Sequence, residues 1–329
     1  MKNILIIIDE IEFKYFEFNR LVTNFWFIRE YLLRGSRVDI TTKNKLYLRK
    51  NIPYALTYET YLDKEEIKKQ QNSHEICLNE YNTIFFRPDP PVDTDYINAS
   101  FILSYVDTNS TFIINSPKAI REKNEKLYVN EFQGLIPDNI VASDEKIIKE
   151  FLFEKNEIVI KPTNRCFGSG VFYLNSADKN INSIIQTATN NNKTAVMIQE
   201  YMPEIKDGDK RLIYVCGKIF DYCVKKVATN NDFKFNEHNK ETLKFAQLSE
   251  EEKTIEGKVK DKFEHDGIYL AGLDVIAGKI IEINITSPCF FINEINEIFN
   301  INFEKIITDR IEMYSNSRNN ALFDKLSIC

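Results

Sequence analysis

The chain has 329 residues and a mass of 38.6 kDa, with 43% apolar and 28% charged residues. That leaves room for more than one hydrophobic core and excludes a disordered or collagen-like chain. Its 43 basic and 49 acidic residues give a formal charge of −6 and a pI near 5.4, which removes the diffuse basic field on which nucleic-acid binding rests and points to small-molecule or protein partners. The apolar run Ile4–Ile8 ends at Asp9, far short of a signal or membrane-spanning segment; the expectation is a cytoplasmic protein with no nucleic-acid and no membrane partner. Six cysteines (Cys77, Cys166, Cys216, Cys223, Cys289, Cys329) without a C-x-x-C pair, beside three histidines, argue for reduced thiols and against a zinc site.

Lys2–Asp9 reads as a short buried strand, and Glu17–Leu33, with Leu21, Phe25, Ile28 and Leu32 at helical spacing, as a helix stopped at Gly35. Strands follow at Arg37–Thr41 and at Thr83–Arg87, the latter running into Pro88-Asp89-Pro90-Pro91. Strand, helix, strand predicts a parallel sheet whose ligand crevice lies at the carboxyl ends of its strands, where Arg87 and Asp89 would sit. Between Ile113 and Glu131 the pattern is a strand, a Ser116-Pro117 break and a helix carrying Asn124, Glu125 and Lys126, with a boundary near residue 120. From Glu157 onward the text changes to hairpins: EIVIKP and VFYL flank a loop with Gly168 and Gly170, Leu212–Val215 turns at Cys216-Gly217, and Leu270–Ile276 turns at Ala277-Gly278. Ala228–Lys244 is a long polar stretch, and Ser315–Asn320 reads as loop.

The strongest chemical signal is GLDVIAGKIIEINITSP, residues 272–288. A turn centred on Gly278 sets Asp274 opposite Glu282, and the period of two puts Asn284 on the same face. Two carboxylates and an amide are hard oxygen ligands of the kind that hold Mg²⁺ against substrate phosphates. Lys161, ending an apolar strand, must reach water or an anion, and the neighbouring Gly168-Ser169-Gly170 loop can turn backbone N–H groups toward phosphate. In QEYM and KDGDKR, Glu200 lies on a strand that could offer backbone groups to a purine, and Asp209 shares a strand face with Arg211. With Lys126 these features make a nucleoside triphosphate site that lacks a P-loop.

Five blocks, RPDPPVDTDYI (87–97), PKAIREKNEKL (117–127), IVIKP with its loop (158–170), IQEYMPEIKDGDKR (198–211) and GLDVIAGKIIEINITSP (272–288), carry a resemblance to ATP-grasp enzymes, and more closely to the bacterial glutathione synthetase family, from about residue 1 to about residue 310. The resemblance implies an α/β, ATP-grasp fold with an N-terminal parallel-sheet domain at 1–120. It also implies ATP-grasp subdomains at 121–202 and 203–315, a lid at 228–244 and a tail at 316–329. It implies ATP phosphates on Lys126, Lys161 and the loop of Gly168 and Gly170, adenosine near Glu200, Tyr201, Met202 and Asp209, and Mg²⁺, with Mn²⁺ as the alternative, on Asp274, Glu282 and Asn284. Arg211 and Lys226 are implied as the catalytic cations, and Arg87, Asp89, Asn236 and Ser287 as substrate-binding residues. The implied reaction joins γ-glutamylcysteine to glycine through an acylphosphate, in a homotetramer. The chain departs from the family pattern at Leu21-Val22-Thr23-Asn24, in the lid around Glu237–Thr242, and at Lys226, where the family carries arginine. A ligase for another peptide-like pair and a nucleotide-binding regulator are the competing readings.

Overall fold

The computed structural model describes residues 1–165, 168–227 and 243–326, with strands arranged in three sheets. In the first, Arg37–Thr42, Asn3–Ile8, Thr83–Phe86 and Phe112–Ile114 run parallel in that order. The run LIII is uninterrupted because both faces of this strand are covered. Leu5 and Ile7 pack with Tyr81, Tyr96 and Leu103 on one side, while Ile4, Ile6 and Ile8 meet Phe25, Phe27 and Ile28 on the other.

The sheet is extended beyond the parallel strands by Ile52–Asp63, which pairs antiparallel with Arg37–Thr42 and in turn carries Leu46–Arg49, Glu66–Lys69 and His74–Cys77. This arm was not anticipated: on its long strand Ile52, Leu56 and Tyr61 are exposed while Thr57 and Thr60 are buried, so no apolar alternation marks it.

The first long helix begins at Thr23, six residues later than its apolar spacing suggested, and ends at Leu33. Asn19 accepts a hydrogen bond from the N–H of Leu21, the kind of local side-chain bond that competes with helix formation. A separate short helix, Glu10–Lys14, is capped by Asp9, whose carboxylate accepts from the N–H of Ile11 at 2.9 Å.

A second, antiparallel sheet has the order Phe172–Asn175, Glu157–Pro162, Val196–Glu200, Asn139–Ala142. Helices Glu145–Lys155 and Ile181–Ala188 bury Ile148, Leu152 and Ile185 against Ile158, Ile160 and Ile198. The third sheet runs Leu243–Ala246, Cys223–Lys226, Asp209–Val215, Leu270–Ile276, Lys279–Asn284, all antiparallel. One apolar core joins the first and third sheets, containing Leu5, Ile84 and Ile113 together with Leu212, Leu273 and Ile283. A polar clip reinforces the join. Asn115, buried, donates to the carbonyls of Leu270 and Ile285 and accepts from the N–H groups of Tyr269 and Leu270, each at 2.7 Å.

Two local expectations are corrected. The helix after Pro117 ends at Glu122, so Asn124, Glu125 and Lys126 lie in the turn that follows. There Asn124 folds its side chain onto the N–H groups of Lys126 and Leu127. The tail is helical: Phe303–Leu326 is one helix that takes in the polar stretch read as loop. No glycine or proline interrupts it, and it is tied down by Arg34 to Asp309 at 2.8 Å and by Arg310 to the carbonyl of Cys216 at 3.0 Å, so tertiary anchoring outweighs weak propensity. Among the described residues no helix is long and apolar enough to cross a membrane.

Candidate active site

The hairpin Leu270–Asn284 places Asp274 opposite Glu282 and Gly272 opposite Asn284. A two-residue Ala277-Gly278 turn alone would pair Asp274 with residue 281. A β-bulge between Asp274 and Val275 shifts the register by one, which brings the carboxylates onto one face.

Asp274 is the centre of a buried charge cluster. Across the sheet Arg211 lies directly opposite it and donates from Nε and Nη2 to its two oxygens at 2.7 and 3.0 Å. Lys226 Nζ reaches the same carboxylate at 2.9 Å and Asp209 at 2.5 Å. Asn284 Nδ2 completes the set at 3.2 Å. Burial alone would raise Asp274, yet Arg211 and Lys226 outweigh it and hold the carboxyl well below the usual range. Burial likewise disfavours the charge on Lys226, and Asp209 and Asp274 more than restore it. Asp209 goes the other way: desolvation raises it more than Lys226 lowers it.

Two glycines make this geometry possible. A Cβ at Gly272 would come within 2.9 Å of Arg211 Cδ. At Gly208, φ is +96° and a Cβ would stand 2.5 Å from the Lys226 carbonyl oxygen.

The nucleotide candidates gather beside this cluster. Lys126 Nζ lies 3.1 Å from Glu282 and donates to the carbonyl of Arg165 at 2.5 Å, at the base of the glycine loop. Lys161 is buried, its charge disfavoured by desolvation, and it bonds Gln199 Oε1 at 2.5 Å. Gln199 Nε2 is buried and has no hydrogen-bond partner among the described residues, a donor without a motif to mark it. Gly168 and Gly170 both adopt positive φ. Glu200, Tyr201 and Met202 run along the edge where the second sheet hands over to the third, Tyr201 with its ring against Tyr173 and its N–H on the carbonyl of Glu157 at 3.0 Å. Asn236 and most of the lid, 228–242, lie outside the described residues; Leu243–Ala246 is a strand paired with Cys223–Lys226.

The expected acceptor residues meet the same loop from the N-terminal side. Arg87 is only 2% exposed and donates to Asn24 Oδ1 at 2.6 Å and to the Pro288 carbonyl at 2.9 Å. Arg211 Nη1 donates to the next carbonyl, that of Cys289, at 3.1 Å. Both arginines are therefore anchored on consecutive carbonyls of one loop. Burial raises Asp89 against a hydrogen bond from Ser287 that lowers it. Glu125 sets the loop: its Oε1 accepts from the N–H groups of Ile285 and Thr286 and from the Thr286 hydroxyl at 2.7 to 2.9 Å.

In the divergent stretch Leu21–Asn24, Thr23 Oγ1 accepts from the N–H of Phe290 at 3.1 Å, and Asn24 bridges Arg87 to Glu12. Glu12 carried no sequence signal, being one acid among several in the short segment 9–17.

The donor set of the hairpin suits a divalent cation, with one qualification of order. Asp274 already accepts four bonds, whereas among the described residues Glu282 meets only Lys126 and the Asn284 amide oxygen has no hydrogen-bond donor. Among the described residues no group of three or more His, Cys, Asp or Glu is placed so that these residues alone could hold a metal ion.

These sheets and their order define the ATP-grasp ligase fold. The chain superposes on D-cycloserine synthetase DcsG with a TM-score of 0.63 at 13% identity, over 97% of this chain and 99% of that one. On D-alanyl-alanine synthetase A of Vibrio cholerae the TM-score is 0.57 at 13% identity, over 96% and 99%. The family models for the N-terminal and the ATP-grasp domains of prokaryotic glutathione synthetase match residues 3–121 and 125–300. The glutathione synthetase of Buchnera aphidicola subsp. Schizaphis graminum is 34% identical over 297 residues, 88% of this chain and 91% of that one. That of Nostoc sp. is 36% identical over 211 residues, so that the aligned part spans 64% of this chain and 65% of the relative. The chain belongs to the prokaryotic glutathione synthetase family.

Proposed function

We propose that the chain joins γ-glutamylcysteine to glycine at the expense of ATP, releasing ADP, phosphate and glutathione. The observation that carries the reading is the loop Thr286–Cys289: it presents Arg87 and Arg211 on consecutive carbonyls, one facing the N-terminal sheet and the other facing Asp274 of the ATP-grasp hairpin. A dipeptide held by Arg87, Asp89 and Ser287 would then offer its free carboxylate to Arg211. Lys126, Lys161 and the loop of Gly168 and Gly170 would hold the ATP phosphates, with Glu200, Tyr201, Met202 and Asp209 around adenosine. The substrate carboxylate attacks the γ-phosphorus, ADP departs, the glycine amine attacks the acylphosphate carbonyl and phosphate leaves. Arg211 and Lys226 neutralise charge on the carboxylate and on the transferring phosphoryl group, and no side-chain nucleophile is required.

A divalent cation would be held by Glu282, Asn284 and Asp274; Mg²⁺ suits the all-oxygen set, with Mn²⁺ as the alternative. Its chemistry is to offset charge on the phosphate oxygens. The division at 120 and 202, the lid at 228–244 with Asn236, a cytoplasmic location and a homotetramer belong to the same proposal and rest on the family resemblance. The test is incubation with MgATP, γ-glutamylcysteine and glycine, reading ADP release and glutathione by mass. ADP released only with a different acid or amine makes the chain a ligase for that pair. ATP binding without ADP release from any pair makes it a nucleotide-binding regulator.

A further inference from the structure

At the carboxyl ends of the parallel strands a negative and a positive group face the same space without touching. Glu12 Oε2 accepts from Asn24 Nδ2 at 2.8 Å, and Asn24 Oδ1 accepts from Arg87 Nε at 2.6 Å. The Asn24 carboxamide therefore holds the carboxylate and the guanidinium apart as a spacer, using one polar atom of each.

Arg87 is only 2% exposed, yet its hydrogen bonds go to neutral oxygens, those of Asn24 and Pro288, and its guanidinium lies near the rings of Phe27 and Phe290 at 5.6 and 5.7 Å. A buried guanidinium without a bonded anion is costly. Burial accordingly weakens its hold on its proton. Glu12 is in the complementary condition: burial raises its carboxyl to about 7, Asn24 and Arg87 lower it, and the neighbouring Asp89 and Asp9 raise it. Asp9 is occupied in capping the N–H of Ile11, and Asp89 interacts with Ser287. An empty pair of this kind fits one ligand shape, a carbon bearing both an ammonium and a carboxylate.

We propose that Glu12 receives the primary ammonium of the acid substrate while Arg87, across the Asn24 carboxamide, receives the carboxylate on the same carbon. The proposal rests on the ligase reading above and sharpens it, because γ-glutamylcysteine carries its free α-amino acid end away from the carboxylate that is phosphorylated. It also assigns work to Asn24 in a stretch that departs from the family pattern. Glu12 is then a specificity residue for the acid substrate and takes no part in phosphoryl transfer.

The experiment compares wild type with Glu12→Gln on γ-glutamylcysteine and on N-glutarylcysteine, which lacks only the amino group, with MgATP and glycine in both cases. Glu12→Gln should raise KM for γ-glutamylcysteine by about tenfold to a hundredfold, the usual worth of a hydrogen bond to a charged group, with kcat and KM for ATP little changed. On N-glutarylcysteine the two enzymes should be alike. Wild-type KM for γ-glutamylcysteine should also climb as pH falls through about 7, since protonation removes the charge that holds the ammonium, while the variant stays flat there. An equal melting shift with MgATP in both proteins shows that Glu12→Gln is folded and nucleotide-competent. The proposal is overturned if the variant matches wild type on γ-glutamylcysteine, or if loss of the amino group costs both enzymes the same factor. If wild type itself releases no ADP with γ-glutamylcysteine and glycine, the ligase reading falls first and this one with it.

Discussion

Lys226→Met is the sharpest perturbation of the site. In the folded protein Arg211 and Lys226 balance Asp209 and Asp274, and the four side chains lie within one buried network, with Asp209, Lys226 and Asp274 at 7, 9 and 5% exposure. Methionine fills similar space but leaves two buried carboxylates facing one guanidinium. Breaking a buried pair by removing one partner costs about 3–5 kcal/mol, on the order of 10 °C in Tm for a chain of this size. The loss should depend on pH in a defined direction. Asp209 already binds its proton more tightly than an ordinary aspartate, because burial outweighs Lys226. Without the ammonium it rises further, so the folded variant keeps a proton that the unfolded chain releases above pH about 4. Stability of the variant relative to wild type therefore falls as pH rises through that window and levels once the folded carboxyl has ionised. Adding Asp209→Asn restores neutrality and should recover much of the loss. Thermal and urea denaturation from pH 4 to 8 make the measurement. A single variant within about 1 kcal/mol of wild type, or a double variant no more stable than the single, refutes the balanced-cluster reasoning.

Glu282→Gln should keep the unliganded melting temperature, since Glu282 is partly exposed and meets only Lys126, yet lose the Mg²⁺-dependent share of the ATP-induced shift. That shift is worth about 2.7 kcal/mol at a hundredfold excess over Kd, and an undiminished shift by scanning fluorimetry counts against the hairpin as the cation site. Gly208→Ala should destabilise by about 1–3 kcal/mol through backbone strain alone, more if the Lys226 strand must retreat from a Cβ at 2.5 Å; chemical denaturation decides it. Arg211→Lys keeps the charge but not the fork that grips Asp274; kcat should fall on the order of a hundredfold with KM for ATP unchanged, and steady-state ADP release with full turnover would contradict its place beside the reacting carboxylate.

The parallel strands were legible because burial on both faces turns Ile4–Ile8 into an unbroken apolar run, and the hairpins because glycine marks their turns. The antiparallel arm was not, since Ile52–Asp63 buries Thr57 and Thr60 and exposes Ile52, Leu56 and Tyr61, so burial does not follow hydrophobicity there. Asp274, Glu282 and Asn284 were correctly set on one face, although the physical cause, a bulge, cannot be read from spacing. The sequence reading attended to Asp274 as a ligand; its first partners are Arg211 and Lys226, which come from other strands and become neighbours only through sheet register. Glu12 and Gln199 were missed for a similar reason. Their surroundings, an amide bridge and a buried lysine, are made by residues 12 and 38 positions away.

The loop Thr286–Cys289 shows how tightly the two halves of the molecule depend on one another. Glu125, in the turn that opens the ATP-grasp region, fixes its start by three hydrogen bonds, and burial makes that carboxylate harder to ionise than usual. Asn115 fixes the adjoining strand ends, and Thr23 catches the N–H of Phe290 at the far side. Between these anchors the loop has no freedom to let Arg87 and Arg211 move separately. On the proposed reading, binding energy gained by a dipeptide at Arg87 would be realised as alignment at Arg211, which is the form in which remote binding accelerates a reaction. On that reading, an altered contact at Asn24 or Glu12 would change which acid is gripped, while Asp274, Lys226 and Arg211, bonded to one another across the third sheet, would keep the same chemistry.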